Sequence, residues 1–266
     1  MKLTIGMAVY DDWVGVYFTV EALRMYQDLT DTEILVVDNK GDKGMQDWIK
    51  AWHGGVVRYE LNTTPGTSQS RNSVFEKAKG EWVVCMDSHI LLAPGSVGAL
   101  KEWVGKNPKC AGLLQGPMLY DDVRMCTTHM EPVWRDDMWG IWAQSRRSDS
   151  LPAEPWEIPM HGLGLFGCRH DSWLGFNPKF RGFGGEEGYI HEKYRQERRK
   201  TLCLPFLQWC HKFASIGAGA QYNVNIRDRI RNYFIGFDEL GLDPTPIVNH
   251  FGKRLCDVVR EQWLKE

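Results

Sequence analysis

No stretch of this chain stays apolar for the roughly 20 residues that crossing a bilayer requires, so a soluble protein with no membrane partner is expected. The opening Lys2-Leu3-Thr4-Ile5-Gly6-Met7-Ala8-Val9-Tyr10 lacks the basic start, long apolar centre and cleavage site of a secretory leader. It reads as a strand. Cysteine occurs seven times but never as C-x-x-C, which argues against both a disulfide framework and a zinc ribbon. A reducing cytoplasm fits that usage, the host's if the chain is viral. H-E-x-x-H, internal repeats and low-complexity segments are also missing. The formal charge is only -2, which excludes a globally basic nucleic-acid binder but leaves a local basic face open.

What is present is an ordinary globular composition. With 266 residues, 43% hydrophobic and 25% charged, the chain is long enough for one large domain or two small ones. Over the first 120 residues strands and helices alternate. Strands are read at Leu3 to Val9, Glu33 to Asn39, Val56 to Leu61, Glu81 to His89 and Gly112 to Tyr120. Helices are read at Trp13 to Leu29, Met45 to Trp52, Ser68 to Lys79 and Pro94 to Lys106. That rhythm predicts an α/β fold, a mainly parallel sheet with helices on both faces.

The strand Glu81-Trp82-Val83-Val84-Cys85-Met86-Asp87-Ser88-His89 organises the rest. Its apolar run suits a buried parallel strand, and its acid stands at the carboxyl end, where open α/β sheets bind ligands. Side chains two apart in a strand point the same way. Asp87 and His89 can thus converge on one ion, unless Asp87 caps the loop and His89 is a core histidine.

Beyond it, Asp121 to Pro159 breaks the alternation. It is read as a long irregular functional loop or packed flap carrying Trp134, Trp139, Trp142 and Trp156. Gly162-Leu163-Gly164-Leu165-Phe166-Gly167 matches G-x-G-x-x-G, but it comes after the βα repeats and opens no βαβ unit, which disfavours a dinucleotide oxidoreductase. Phe180-Arg181-Gly182-Phe183-Gly184-Gly185-Glu186-Glu187 delivers two acids to a helix start, where the helix dipole favours negative charge. Thr201 to Pro205 is a short strand followed by Gln208 to Phe213. Two further helices, Asn225 to Leu240 and Val248 to Lys265, close the chain.

Together these segments resemble GT-A-fold glycosyltransferases, with a pattern nearest that of the polypeptide N-acetylgalactosaminyltransferases. The metal motif of that family is matched by Asp87-Ser88-His89, its GLF stretch by Gly164-Leu165-Phe166, and its Trp-Gly-Gly-Glu by Phe183-Gly184-Gly185-Glu186. His211 matches its third metal ligand. The resemblance covers about residues 1 to 215. It implies a GT-A domain with a nucleotide-sugar half (1–120) and an acceptor and catalytic half (121–215), followed by a helical extension (216–266). Phe183 departs from the family's tryptophan. The membrane anchor and lectin domain of that family find no counterpart.

The implied activity is transfer of a hexose or N-acetylhexosamine from a UDP-sugar to a hydroxyl. A metal set of Asp87, His89 and His211 mixes oxygen with imidazole, which favours manganese, with magnesium as second candidate. Donor contacts are expected from Ala8, Tyr10, Asp38, Arg71, Asp87, Ser88, Gly164 and Gly185, with Asp38 accepting from uracil or ribose. Glu186 and Glu187 are the catalytic candidates, as a base if the anomeric centre inverts and as orienting groups if it is retained. The two-histidine metal set favours retention. For the acceptor, Arg195, Arg198, Arg199 and Lys200, then Arg227, Arg229 and Arg231 beside Tyr222, Tyr233 and Phe234, suggest phosphate contacts and base stacking. Together with Trp139 and Trp142 they point to hydroxymethylated pyrimidine in phage DNA, with a Ser/Thr hydroxyl of a protein or peptide as the rival. A nucleotide-sugar hydrolase or pyrophosphorylase and a catalytically silent sugar-binding module are the readings of other classes. Oligomeric state is not legible.

Overall fold

The computed structural model describes residues 2–64, 66–212 and 224–263. Its strands in chain order are β1 (Leu3–Val9), β2 (Thr32–Asp38), β3 (Val57–Leu61), β4 (Trp82–Asp87), β5 (Ile90–Leu92), β6 (Leu113–Gln115), β7 (Met118–Leu119), β8 (Met125–Thr127), β9 (Met130–Arg135), β10 (Met138–Trp142), β11 (Arg146–Arg147), β12 (Trp156–Glu157), β13 (Leu165–Arg169), β14 (Thr201–Cys203) and β15 (Trp209–His211). The helices are α1 (Trp13–Tyr26), α2 (Lys43–Trp48), α3 (Thr67–Lys77), α4 (Ser96–Lys106), α5 (Glu186–Gln196), α6 (Ile226–Glu239), α7 (Thr245–Phe251) and α8 (Lys253–Trp263). None of the described helices is long and apolar enough to cross a membrane.

Among the described residues, eight strands form the central sheet in the order β12-β14-β6-β13-β4-β1-β2-β3. The pairs β4–β1, β1–β2, β2–β3 and β14–β6 are parallel. β13 runs antiparallel to both β4 and β6, so the G-x-G-x-x-G segment is part of the sheet core and not a phosphate loop. Alternation splits the apolar strands between two faces. Ile34, Val36, Trp82, Val84 and Met86 meet α1, α2 and α4, while Leu35, Val37, Val83 and Cys85 meet α3, α5 and α6. Both faces being covered is why these strands read as continuous apolar runs. Each fully buried aliphatic side chain contributes about 1.5–3 kcal/mol.

The differences from the sequence reading follow local chemistry. β4 ends at Asp87, and Ser88-His89 form a turn into β5. The single strand expected at Gly112 to Tyr120 divides at Gly116-Pro117, so that β6 joins the central sheet and β7 a second one ordered β11-β8-β7-β15-β5. A Cβ at Gly116 would collide with the Leu207 carbonyl. The segment 121–159 is not irregular. Its residues form β8 to β12, with β9 and β10 as an antiparallel hairpin. Among the described residues the tail holds three helices where two were expected, because Pro246 starts α7 early and Gly252 (φ +83°) separates it from α8. The expected domain boundary at 215/216, Tyr222, Phe213 and Lys265 lie outside the described residues.

Candidate metal and catalytic site

Asp87 is the first polar residue after the apolar run of β4, so its carboxylate emerges at the carboxyl end of the central sheet. Its N–H donates to the Gly164 carbonyl at 2.9 Å, tying the strand end to the start of β13. β5 then pairs with β15 in a register that sets Ile90 opposite His211. That pairing brings in the second imidazole. Donor atoms of Asp87, His89 and His211 lie within 4.8 Å of one another, and the two rings meet edge to face with centroids 4.8 Å apart. Convergence therefore comes from a turn and a second sheet, not from i, i+2 alternation along one strand.

The surroundings fix these charges. Burial opposes ionisation of Asp87, but Arg71 at 3.2 Å and the nearby His211 outweigh it and hold the carboxyl below its usual range. Burial likewise works against a charged His89, yet Asp12 and Asp87 raise its pKa. Asp12 sits between α1 and the 88–89 turn. One oxygen accepts the Gly15 N–H at 3.0 Å, and the other accepts from Ser88 Oγ at 2.6 Å and His89 Nδ1 at 2.8 Å. Burial pulls the Asp12 pKa up, but these bonds bring it down to about 2. Thr19 Oγ1 completes the anchoring by donating to the carbonyls of Ser88 and Ile90.

The acid pair lies on the far side of Arg71. Gly185, at φ +94°, takes a conformation that side chains avoid and starts α5 with Glu186 and Glu187 in its first turn. Glu186 is fully buried, accepts from Thr67 Oγ1 and stands 3.9 Å from Arg71. Its Oε2 has no hydrogen-bond donor among the described residues. Burial, then the charge of Glu186, pushes the Glu187 carboxyl up to about 7. Arg71 is buried between Asp87 and Glu186, which raise its pKa against the effect of burial. One guanidinium thus joins the metal acid to the acid pair.

Residues 4–163, more than half of the chain, match the sequence model of Glycosyl transferase family 2. The chain belongs to that family. Solved structures agree on the fold, which is GT-A. GalNAc-T7 with UDP, GalNAc and Mn2+ superposes with a TM-score of 0.67 at 18% identity, over 90% of this chain and 48% of that one. This chain therefore spans about half the length of GalNAc-T7. A mannosyltransferase from Pyrobaculum calidifontis in complex with GDP-Man and Mn2+ gives 0.60 at 16% identity, over 92% of this chain and 66% of that one. TarS 1–349 from S. aureus gives 0.59 at 14%, over 93% and 68%. No protein of curated function matches the chain by sequence.

Within this family 2 domain the other expected donor residues are distributed unevenly. Ala8 and Tyr10 stand at the end of β1, Ala8 in register with Asp87. Ser88 is buried against Asp12, and a Cβ on Gly164 would lie 3.2 Å from the His211 ring. Asp38 ends β2. Its two oxygens accept from the N–H groups of Lys40, Gly41 and Asp42 and from Tyr59 Oη, at 2.7–3.0 Å. Three of these bonds fall on Oδ2, whereas Oδ1 accepts only from Lys40, so one oxygen keeps capacity for a further donor. Asp38 shapes the loop after β2.

The acceptor candidates divide between buried and exposed positions. Arg229 and Arg231 are buried, Arg229 over the Phe183 ring and Arg231 on the Lys179 carbonyl. Arg195 bonds Glu192 and the Pro159 carbonyl, Arg199 the Ser172 carbonyl, and Lys200 pairs with Glu157. Trp142 packs against the main core and His161. Trp139 abuts Gly188, one residue past the acid pair, and its backbone N–H donates to Tyr233 Oη. Arg198 and Arg227 stay exposed, outside these contacts. Sequence reasoning missed Asp12, Thr19, Thr67 and Asn232, whose amide holds the carbonyls of Arg181 and Gly184. Asp12 alone left a trace, as an acid preceding a helix.

Proposed function

We propose that the chain transfers a hexose or N-acetylhexosamine from a UDP-sugar to a hydroxyl acceptor, using a divalent cation held by Asp87, His89 and His211. The convergence of one carboxylate and two imidazoles at the end of β4 carries this reading. A mixed oxygen and imidazole set suits manganese, with magnesium second. Bound there, the cation supplies charge stabilisation for the departing diphosphate. Asp87 is already anionic at neutral pH because Arg71 compensates its burial. Glu186 orients the sugar. Its donorless Oε2 would otherwise cost about 1–3 kcal/mol, and a sugar hydroxyl supplies the missing donor. The Mn2+ complexes of GalNAc-T7 and the mannosyltransferase support the donor side of this reading.

Retention is the course that the two-histidine metal set favours. Glu187 favours a second course, inversion, since a carboxyl near 7 is well matched to taking a proton from an acceptor hydroxyl at neutral pH. The anomeric configuration of the product, read by NMR, separates the two.

For the acceptor we propose hydroxymethylated pyrimidine in phage DNA, ahead of a Ser/Thr hydroxyl of a protein or peptide. Its support is the set of exposed cations Arg124 and Arg146 in the inserted segment and Arg227 at the start of α6. The reaction would then take place in the cytoplasm. The test combines manganese, a panel of nucleotide sugars and three acceptors: hydroxymethyl-pyrimidine DNA, unmodified DNA and Ser/Thr peptides. One UDP-sugar should raise the melting temperature. Transfer should go to the first acceptor only and weaken steeply with salt, by roughly 0.9 in logarithmic slope per phosphate contact. Sugar release without any acceptor would replace this reading with a hydrolase.

A further inference from the structure

We infer that Asp12 is a positioning residue of the metal site, the group that selects which nitrogen of His89 faces the ion. This rests on the metal reading above and deepens it. An acid before a helix is ordinarily explained by capping, which occupies a single oxygen. In Asp12 that oxygen is Oδ1, on the Gly15 N–H. Oδ2 is surplus to capping and accepts from both Ser88 Oγ and His89 Nδ1. With Nδ1–H donated to a carboxylate, a neutral His89 carries its lone pair on Nε2, the nitrogen left for a cation.

Gly15 supplies an independent observation. A Cβ built there would stand 2.1 Å from Asp12 Oδ2 and 2.7 Å from Oδ1. An ordinary capping aspartate does not require glycine three residues on, and alanine is a better helix former. The missing side chain makes room for a carboxylate shared between α1 and the 88–89 turn. Thr19, one further turn along the same helix side, holds the carbonyls of Ser88 and Ile90. Helix α1 therefore grips the metal turn twice, through its carbonyls and through its imidazole.

Asp12→Asn isolates the effect, because asparagine caps helices about as well as aspartate. With the side-chain oxygen kept on Gly15, the introduced amide N–H2 faces Nδ1–H, a donor against a donor. His89 escapes by moving its proton to Nε2, which removes the lone pair that the cation needs. The expected result is a 10–100-fold loss of Mn2+ affinity in the presence of UDP, read by calorimetry at a temperature where circular dichroism shows the variant folded. The 15N resonances of His89 at alkaline pH, without metal, should report a proton on Nδ1 in the wild type and on Nε2 in the variant. The wild-type spectrum decides the matter even if the variant fails to fold, since a proton on Nε2 there overturns the inference. Wild-type Mn2+ affinity in a folded Asp12→Asn protein overturns it too, while leaving the metal site standing. A wild type that binds no Mn2+ overturns both.

Discussion

Two regions of this molecule look equally functional in sequence and differ completely in structure. At the carboxyl end of β4, charged groups converge with capacity in reserve. Asp87, His89 and His211 share one space, Glu186 keeps an oxygen without a donor among the described residues, and Arg71 links the two sets. Along the hairpin β9–β10 and the C-terminal helices, aromatic and basic residues are just as dense, but they pack on one another and hold no cluster of metal-ligating groups among the described residues. Trp134 contacts Trp139, Tyr233, His250 and Phe251. Arg229 and Arg231 end on a ring and a carbonyl. Residue type alone does not mark a site; convergence of ionisable groups on one shared space does.

Substitutions should separate the regions, most sharply at the metal set. His211→Ala or Asp87→Asn removes charge stabilisation worth several kcal/mol, so manganese-dependent turnover should fall roughly 10³-fold while circular dichroism reports an intact fold. Undiminished turnover in His211→Ala would remove that residue from the site.

Glu187→Gln comes next. If the carboxyl acts as base, kcat should fall roughly 10²-fold with donor affinity unchanged, and the rise of wild-type activity through pH about 7 should vanish. Stability should move the other way. A carboxyl raised from 4.5 to about 7 binds its proton more tightly when folded, so wild-type stability falls as pH rises across that interval. Glutamine is exempt from that loss, and the variant should be the more stable protein at pH 8, on the order of 2 kcal/mol. Urea titrations at pH 5 and pH 8 measure the difference, and equal midpoints at both would remove the buried-acid account.

The smallest effect on catalysis is expected at Trp134. Trp134→Ala should destabilise by about 3 kcal/mol, as for a truncated packed aromatic, and leave the acceptor KM within about twofold. A large rise in KM with little loss of stability would return the hairpin to the acceptor site.

These contrasts explain what could be read in advance. β1 to β4 and α1 to α4 announced themselves because strands buried on both faces are uninterrupted apolar runs, and the helices between them have apolar faces, with capping aspartates at α1 and α2. Segments of two to six residues such as β7 to β12 carry too little pattern to register, and some depend on partners distant in sequence, as β7 does on β15 and β12 on β14. The metal pair was legible as residue types but for the wrong reason, since the turn at Ser88-His89 depends on Thr19 and Asp12 some 70 residues earlier. Asp38 was legible as an acid that ends a strand, but the bonds its Oδ2 takes from Gly41, Asp42 and Tyr59 were not, a local choice the sequence does not disclose. The burial of Arg229 and Arg231 was not legible either, since a basic residue on a helix gives no sign of which neighbours will cover it.

The most direct measurement is an anomalous diffraction map from crystals grown with Mn2+ and UDP. The account predicts a single strong manganese peak within bonding distance of Asp87, His89 Nε2 and His211, with the diphosphate on its open side. A manganese peak elsewhere, or UDP bound with those three side chains unligated, would contradict it.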